Sequence, residues 1–186
     1  MVRVWRAAAT ALSASESVVG SRHADASPQQ PLLMPTAHLC HFDASFTPTT
    51  GSTSYDAVLF SASGNFMAAT NCVLSHCANP LTAESLTCKE ALSWLRDHGV
   101  AEVALHTDCS VLHRYVTTAA TKPRSCAGVV IDECLRFMAL FNSCSLFFIL
   151  RHLNLIAHTL ASQASGQDSS LYWDSVPPYF VLALLN

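Results

Sequence analysis

Three acids stand on apolar faces of a chain that has few charges to spare. Asp43 lies in the middle of an alternating run, between Phe42 and Ala44. Glu84 shares a helical stripe with Leu81, Cys88, Ala91 and Leu95. Asp108 follows the apolar run Val103-Ala104-Leu105, at the end of a strand, where α/β sheets commonly carry ligand groups. Charged residues make up only 12% of the chain, against an ordinary share of roughly 25%. A carboxylate that faces a core alone is costly. Three that converge repel one another unless a divalent cation holds them, and hard cations such as Mg²⁺ take oxygen ligands. The competing reading makes each acid a satisfied cap or turn residue. It suffices for any one of them, but the three together favour a metal.

Elements that could bring these acids together follow from the periodicity. Strands are expected near 38–46, 54–61 and 66–74, separated by the turn clusters Thr47-Pro48-Thr49-Thr50-Gly51 and Ser63-Gly64-Asn65. Pro80 suits the first turn of a helix that ends at His98-Gly99. A short strand at 102–107, helices at 108–118 and 125–141, a strand at 145–150 and a helix at 154–164 complete the order β-β-β-α-β-α-α-β-α. Three antiparallel strands followed by alternating helix and strand imply an α/β fold, with a five-stranded mixed sheet and helices on both faces.

Composition excludes several classes. With 186 residues, 51% hydrophobic, and 10 Lys+Arg against 13 Asp+Glu, the chain is neither disordered nor a coiled coil nor a basic nucleic-acid tail. The most apolar stretch, 134–150, is short and broken by Arg136 and Asn142, so no membrane span is expected. Eight cysteines fall at irregular spacing without a Cys-x-x-Cys, which disfavours a zinc site. Free, mostly buried thiols in a reducing intracellular compartment, nucleus or cytoplasm before organelle, are the expectation.

Five segments in order identify a resemblance: HFDASF at 41–46, SGNFMAA at 63–69, LTAESLTCKEAL at 81–92, LHTDCS at 105–110 and RHLNLIAHTLA at 151–161. With the tail YWDSVPPYFVLALL, they resemble the ribonuclease H-like domain of plant relics and derivatives of non-LTR retroelement reverse transcriptases, over residues 39–185. The resemblance implies the ribonuclease H-like fold over 36–165, with 166–186 as an apolar tail packed on the domain. It implies a monomer whose partner is an RNA–DNA hybrid, with the RNA strand hydrolysed by a two-metal mechanism using Mg²⁺ or Mn²⁺. One ion would activate the attacking water and the other would stabilise the leaving 3′ oxygen. Asp43 would bridge both ions, Glu84 would ligate one, and Asp108 would ligate on the other side. Asn79 and Thr82 would be minor-groove contacts, with helix capping as their competing role.

The chain departs from the family pattern in three places. The fourth ligand of active relatives is an Asp on the last helix, and here that position is His158. Imidazole is a poor ligand for Mg²⁺ and a better one for Mn²⁺, so the second ion should bind weakly. No glycine lies between Gly51 and Gly64, where relatives keep some, so Tyr55 and Asp56 crowd the second strand. Few cations face phosphates, with Arg114, Lys122, Arg124, Arg136 and Arg151 all that the second half of the domain offers. A hybrid endoribonuclease with a degenerate fourth ligand therefore stands beside two alternatives: a catalytically impaired binding module and a retroelement relic.

Residues 1–35 are rich in Ala and Ser, with Arg3, Arg6 and Arg22 against Glu16 and Asp25, and end among Pro28, Pro31 and Pro35. A disordered leader is expected, with an organelle transit peptide as the alternative. A chain shortened to begin at Pro31 should keep its melting temperature. Thermal melts of both lengths check this, and a drop of many degrees would make the leader part of the fold.

Overall fold

The computed structural model describes residues 37–185 except 75, 119, 165, 166 and 168, so the leader expected over 1–35 lies outside the described residues. Three strands come first: β1 (His38–Phe46), β2 (Thr53–Phe60) and β3 (Phe66–Leu74). Helix α1 (Pro80–Asp97), strand β4 (Glu102–Thr107), helices α2 (Ser110–Thr117) and α3 (Cys126–Met138), and strand β5 (Ser143–Phe148) follow. A 3-10 turn at Arg151–Leu153 leads into α4 (Leu155–Gln163), and then come β6 (Leu171–Asp174) and a 3-10 turn at Tyr179–Leu184. Among the described residues no helix is long and apolar enough to cross a membrane.

The sheet has six strands in the order β5-β4-β1-β2-β3-β6, which corrects the expected five. The addition is β6, which pairs antiparallel with β3 from Ala68↔Asp174 to Asn71↔Leu171. Four residues ahead of a double proline are too short for alternation to reveal a strand. The edge strand β5 begins two residues earlier than expected, because Glu102 pairs with Ser143 while Ile149 and Leu150 leave the sheet. β1 sits at the centre, antiparallel to β2 and parallel to β4.

The pleat sends alternate residues of β1 to opposite layers. Cys40 and Phe42 join Ala57, Leu59, Leu105 and Leu146 against α1, α2 and α3, where Leu92, Leu95, Leu112 and Ile131 are fully buried. On the other face Val58, Phe60 and Ala69 pack with Ile156, Ala157 and Leu160 of α4 and with Val181. Each large side chain removed from water in this way contributes about 1.5–3 kcal/mol. These two clusters therefore hold the central strand firmly between its layers.

Helix ends are set locally. Asn79 caps α1, Pro80 occupies its first turn, and Gly99 at φ +69° ends the connection into β4. Gly64 takes φ +80° in the turn between β2 and β3, where any side chain would be strained. Among the described residues no side chain caps the start of α4. Instead Asn154, fully buried, donates from Nδ2 to the Phe42 carbonyl at 3.0 Å and ties the start of α4 to β1 beside Asp43. Asn154→Ala removes that donor and leaves a buried carbonyl without it, a loss of about 1–3 kcal/mol. Urea unfolding of the variant against wild type measures it.

Candidate metal centre

Asp43 projects from the middle of β1 toward the α4 layer and is 2% exposed. In the neighbouring parallel strand His106 is the register partner of His41, so Asp108, two residues on, lies level with Asp43. Thr107 Oγ1 accepts the Cys109 N–H at 3.1 Å and turns the chain into α2 with Asp108 at the strand end. Glu84 comes from the early turns of α1, on the stripe that faces the sheet. One carboxylate oxygen from each of Asp43, Glu84 and Asp108 lies within 4.8 Å of the others.

At that separation two unit charges repel by about 3.5 kcal/mol at an effective dielectric near 20. The acids respond as such a cluster must. Burial and then Asp108 push the Asp43 pKa up to about 6, against the pull of the His158 hydrogen bond. Burial, then Asp43 and Asp108, hold Glu84 well above the usual carboxylate range. A fourth acid shows the same effect. Asp56 is fully buried opposite Asp43 in β2, and burial followed by Asp43 raises it strongly. Among the described residues, Glu84 Oε2 and Asp56 Oδ2 are buried without a hydrogen-bond partner. Hard oxygen donors, clustered and partly orphaned, fit a divalent cation.

His158 stands beside this triangle rather than within it. Its Nδ1–H donates to Asp43 Oδ2 at 2.8 Å, and an Arg151 guanidinium N–H reaches its Nε2 at 3.2 Å. Arg151 also stands 3.7 Å from Asp108 Oδ2, a weak pair because the guanidinium is largely exposed. Asn79 and Thr82 are engaged with each other one turn before Glu84. Asn79 Oδ1 accepts the Thr82 N–H at 2.9 Å and the Thr82 hydroxyl at 3.1 Å, with Asn79 exposed and Thr82 buried. His152 is exposed in the 3-10 turn.

Two neighbours of the centre escape a reading of the sequence by single segments. His41 Nε2 and His106 Nδ1 meet at 3.0 Å behind the acids, and burial lowers their pKa values to about 3 and about 4. The signal was a His-x-Asp spacing in both strands, His41-Phe42-Asp43 and His106-Thr107-Asp108. Arg151 was visible as a cation but not as a partner of His158.

The titrations have opposite signs. Asp43 keeps its proton to about pH 6 in the fold but releases it near 3.9 when unfolded, so it favours the fold below about pH 4 and loses that contribution as pH rises through 6. His41 and His106 stay neutral in the fold and instead cost stability as pH falls below 6.5. Asp43→Asn separates the two effects. Metal-free, it should gain about 1–3 kcal/mol on wild type between pH 4 and 7, with no gain below pH 4. Urea unfolding in chelator across that range is the measurement.

The family model for reverse transcriptase-like proteins matches residues 41–164. No curated protein sequence matches the chain. Among solved structures the fold is similar to RNase H1 from the halophilic archaeon Halobacterium salinarum NRC-1, with 20% identity, 69% of this chain and 97% of that chain covered, and a TM-score of 0.66. It is also similar to the N-terminal RNase H domain of a Mycobacterium tuberculosis protein, with 17% identity, 69% and 93% covered, and a TM-score of 0.64. A third similar structure is LC11-RNase H1 in complex with an RNA/DNA hybrid, with 16% identity, 68% and 95% covered, and a TM-score of 0.63. Identities this low speak for the fold alone. The chain belongs to the reverse transcriptase-like family and has the ribonuclease H-like fold.

Proposed function

We propose that the domain binds RNA–DNA hybrids as a monomer and hydrolyses the RNA strand with divalent cations held by Asp43, Glu84 and Asp108. The observation that carries this reading is the triangle of carboxylate oxygens within 4.8 Å, with Glu84 Oε2 left without a partner among the described residues. Bound cations would supply Lewis acidity at the scissile phosphate and charge neutralisation for the acids. The chain's own part is positional. The β1–β4 pairing fixes Asp43 level with Asp108, and the stripe of α1 aims Glu84 between them. His158 holds one oxygen of Asp43 through Nδ1. Arg151, largely exposed at the rim, is placed to meet a phosphate. The hybrid bound to a protein of the same fold supports the substrate class. The ordered motifs and the double-proline tail support descent from a plant retroelement reverse transcriptase.

A second reading, a fold that binds nucleic acid without cutting it, is favoured by one feature. His158 takes the place where active relatives of the resembled family carry a carboxylate, which leaves the centre one ligand charge short. On that reading Asn79 and Thr82 serve the helix cap alone, and the chain is a binding module or a relic.

Cleavage of a labelled RNA–DNA hybrid across titrations of Mg²⁺ and Mn²⁺ decides between the readings. Wild type should cut slowly in Mg²⁺ and faster in Mn²⁺, which accepts the His158 imidazole more readily once its ring exchanges Asp43 or Arg151 for the ion. His158→Asp should raise the Mg²⁺-supported rate, and Asp43→Asn should reduce cleavage to background in either metal. Hybrid binding with no cleavage in wild type and His158→Asp alike would establish the binding module instead.

A further inference from the structure

We propose that Asp56 is a further carboxylate of this centre, which tightens cation binding from behind Asp43 without ligating the ion. This deepens the reading above and rests on it.

The placement is specific. Asp56 is the direct register partner of Asp43 across β1 and β2, and its other neighbour across the sheet is Asn71. Residues directly opposite in antiparallel strands share a face, so all three stand on the α4 side. The Asp43 N–H donates to Asp56 Oδ1 at 3.0 Å, while Oδ2 is buried without a partner among the described residues. Asp56 is absent from the group whose oxygens all lie within 4.8 Å, so it is no member of the ligand triangle.

Nearby donors are committed elsewhere. Asn71 Nδ2 donates to the Leu160 carbonyl at 3.0 Å, and Ser54 Oγ donates to the Ala161 carbonyl at 2.8 Å. His158 Nδ1–H is engaged by Asp43. A fully buried carboxyl with one oxygen unanswered is an expensive side chain for the middle of a strand. Asparagine would accept the same Asp43 N–H without that expense. What aspartate adds over asparagine is a second oxygen able to carry negative charge beside Asp43, whose ligand triangle calls for a positive one. The front of the centre has His158 on α4 where a carboxylate would add charge, and Asp56 adds it from β2. Groups that hold or face a metal ligand from behind alter affinity by about 10–100-fold when removed.

The test reads cation binding rather than cleavage, through loss of the free Mn²⁺ paramagnetic resonance signal on titration into the full chain. Metal-free melts of the same samples run alongside. Asp56→Asn keeps the acceptor for the Asp43 N–H and removes the charge. It should bind Mn²⁺ about tenfold more weakly, with a metal-free melting temperature at or above that of wild type. Adding His158→Asp to Asp56→Asn should return the affinity toward that of wild type, and a tenfold loss without a lowered metal-free melt is what a merely structural role would not give. Unchanged affinity in Asp56→Asn, or no recovery in the double variant, overturns the proposal. If Asp56→Asn does not fold, Asp56→Ser should show the same tenfold loss, and failure of both to fold makes Asp56 a structural residue and also overturns it. Asp43→Asn reports on the centre itself. If wild type binds no Mn²⁺, or Asp43→Asn binds it equally well, the metal centre falls. If Asp43→Asn loses binding and Asp56→Asn does not, only the role of Asp56 falls.

Discussion

Repulsion among carboxylates on and around the central strand is the interaction that the rest of the molecule has to accommodate. Asp43 is carried by the one strand that pairs with both β2 and β4, and each of those neighbours brings an acid level with it. Adjacent strands lie about 4.8 Å apart, so sheet geometry sets how far these groups can separate. Glu84 adds a third direction of approach from α1. No side-chain rotation can disperse charges whose backbones are pinned in this way. Protons or cations must answer them, and the raised pKa values of Asp43, Asp56 and Glu84 are the metal-free form of that answer.

The pinning comes from packing on both faces. Leu59, Leu92, Leu95, Leu105, Leu112 and Ile131 are buried below the sheet, while Val58 and Leu160 are buried above it with Val181. At about 1.5–3 kcal/mol for each large side chain, either cluster exceeds the roughly 3.5 kcal/mol of one fully charged pair. The core can therefore hold the acids close at a tolerable cost. The second face depends more on polar ties, because α4 is a short helix. Its start is held by Asn154, and Ser54 and Asn71 reach its carbonyls farther along. Those bonds also occupy donors that would otherwise serve the buried acids, which connects the docking of α4 to the electrostatics of the centre.

Much of this was legible in the residues themselves, for identifiable reasons. Period-3.6 patterns placed the helices, which bury one face, and alternating or apolar runs between turn clusters placed the inner strands, although packing on both faces leaves β2 buried at every position. Asp43 and Glu84 were conspicuous because the same patterns assigned them to apolar faces. Asp108 was conspicuous as the first acid after a buried strand. What escaped depended on pairing between distant segments. β6 has four residues, only one of which is half-buried, and becomes a strand through β3. His41 and His106 look like ordinary strand residues until the β1–β4 register makes them partners. Asp56 looked like crowding on the second strand, and its nearness to Asp43 depends on the β1–β2 register.

The same registers explain why a fold shared at 20% identity leaves the chemistry open. Fold likeness carries the layout of strands and helices, and hence the positions from which groups converge. It does not carry the balance of charge at the point of convergence. In this chain that balance is three acids within mutual reach, a fourth behind them, and an imidazole and a guanidinium in front. The imidazole bonds to Asp43, and the guanidinium touches both the imidazole and Asp108, so the front groups act as one linked pair. A cation entering the triangle meets the negative charge of β1, β2, β4 and α1 together with the positive end of that linked pair. Affinity, metal preference and any hydrolytic rate follow from how those opposing fields sum, and their sources lie on five separate segments of the chain.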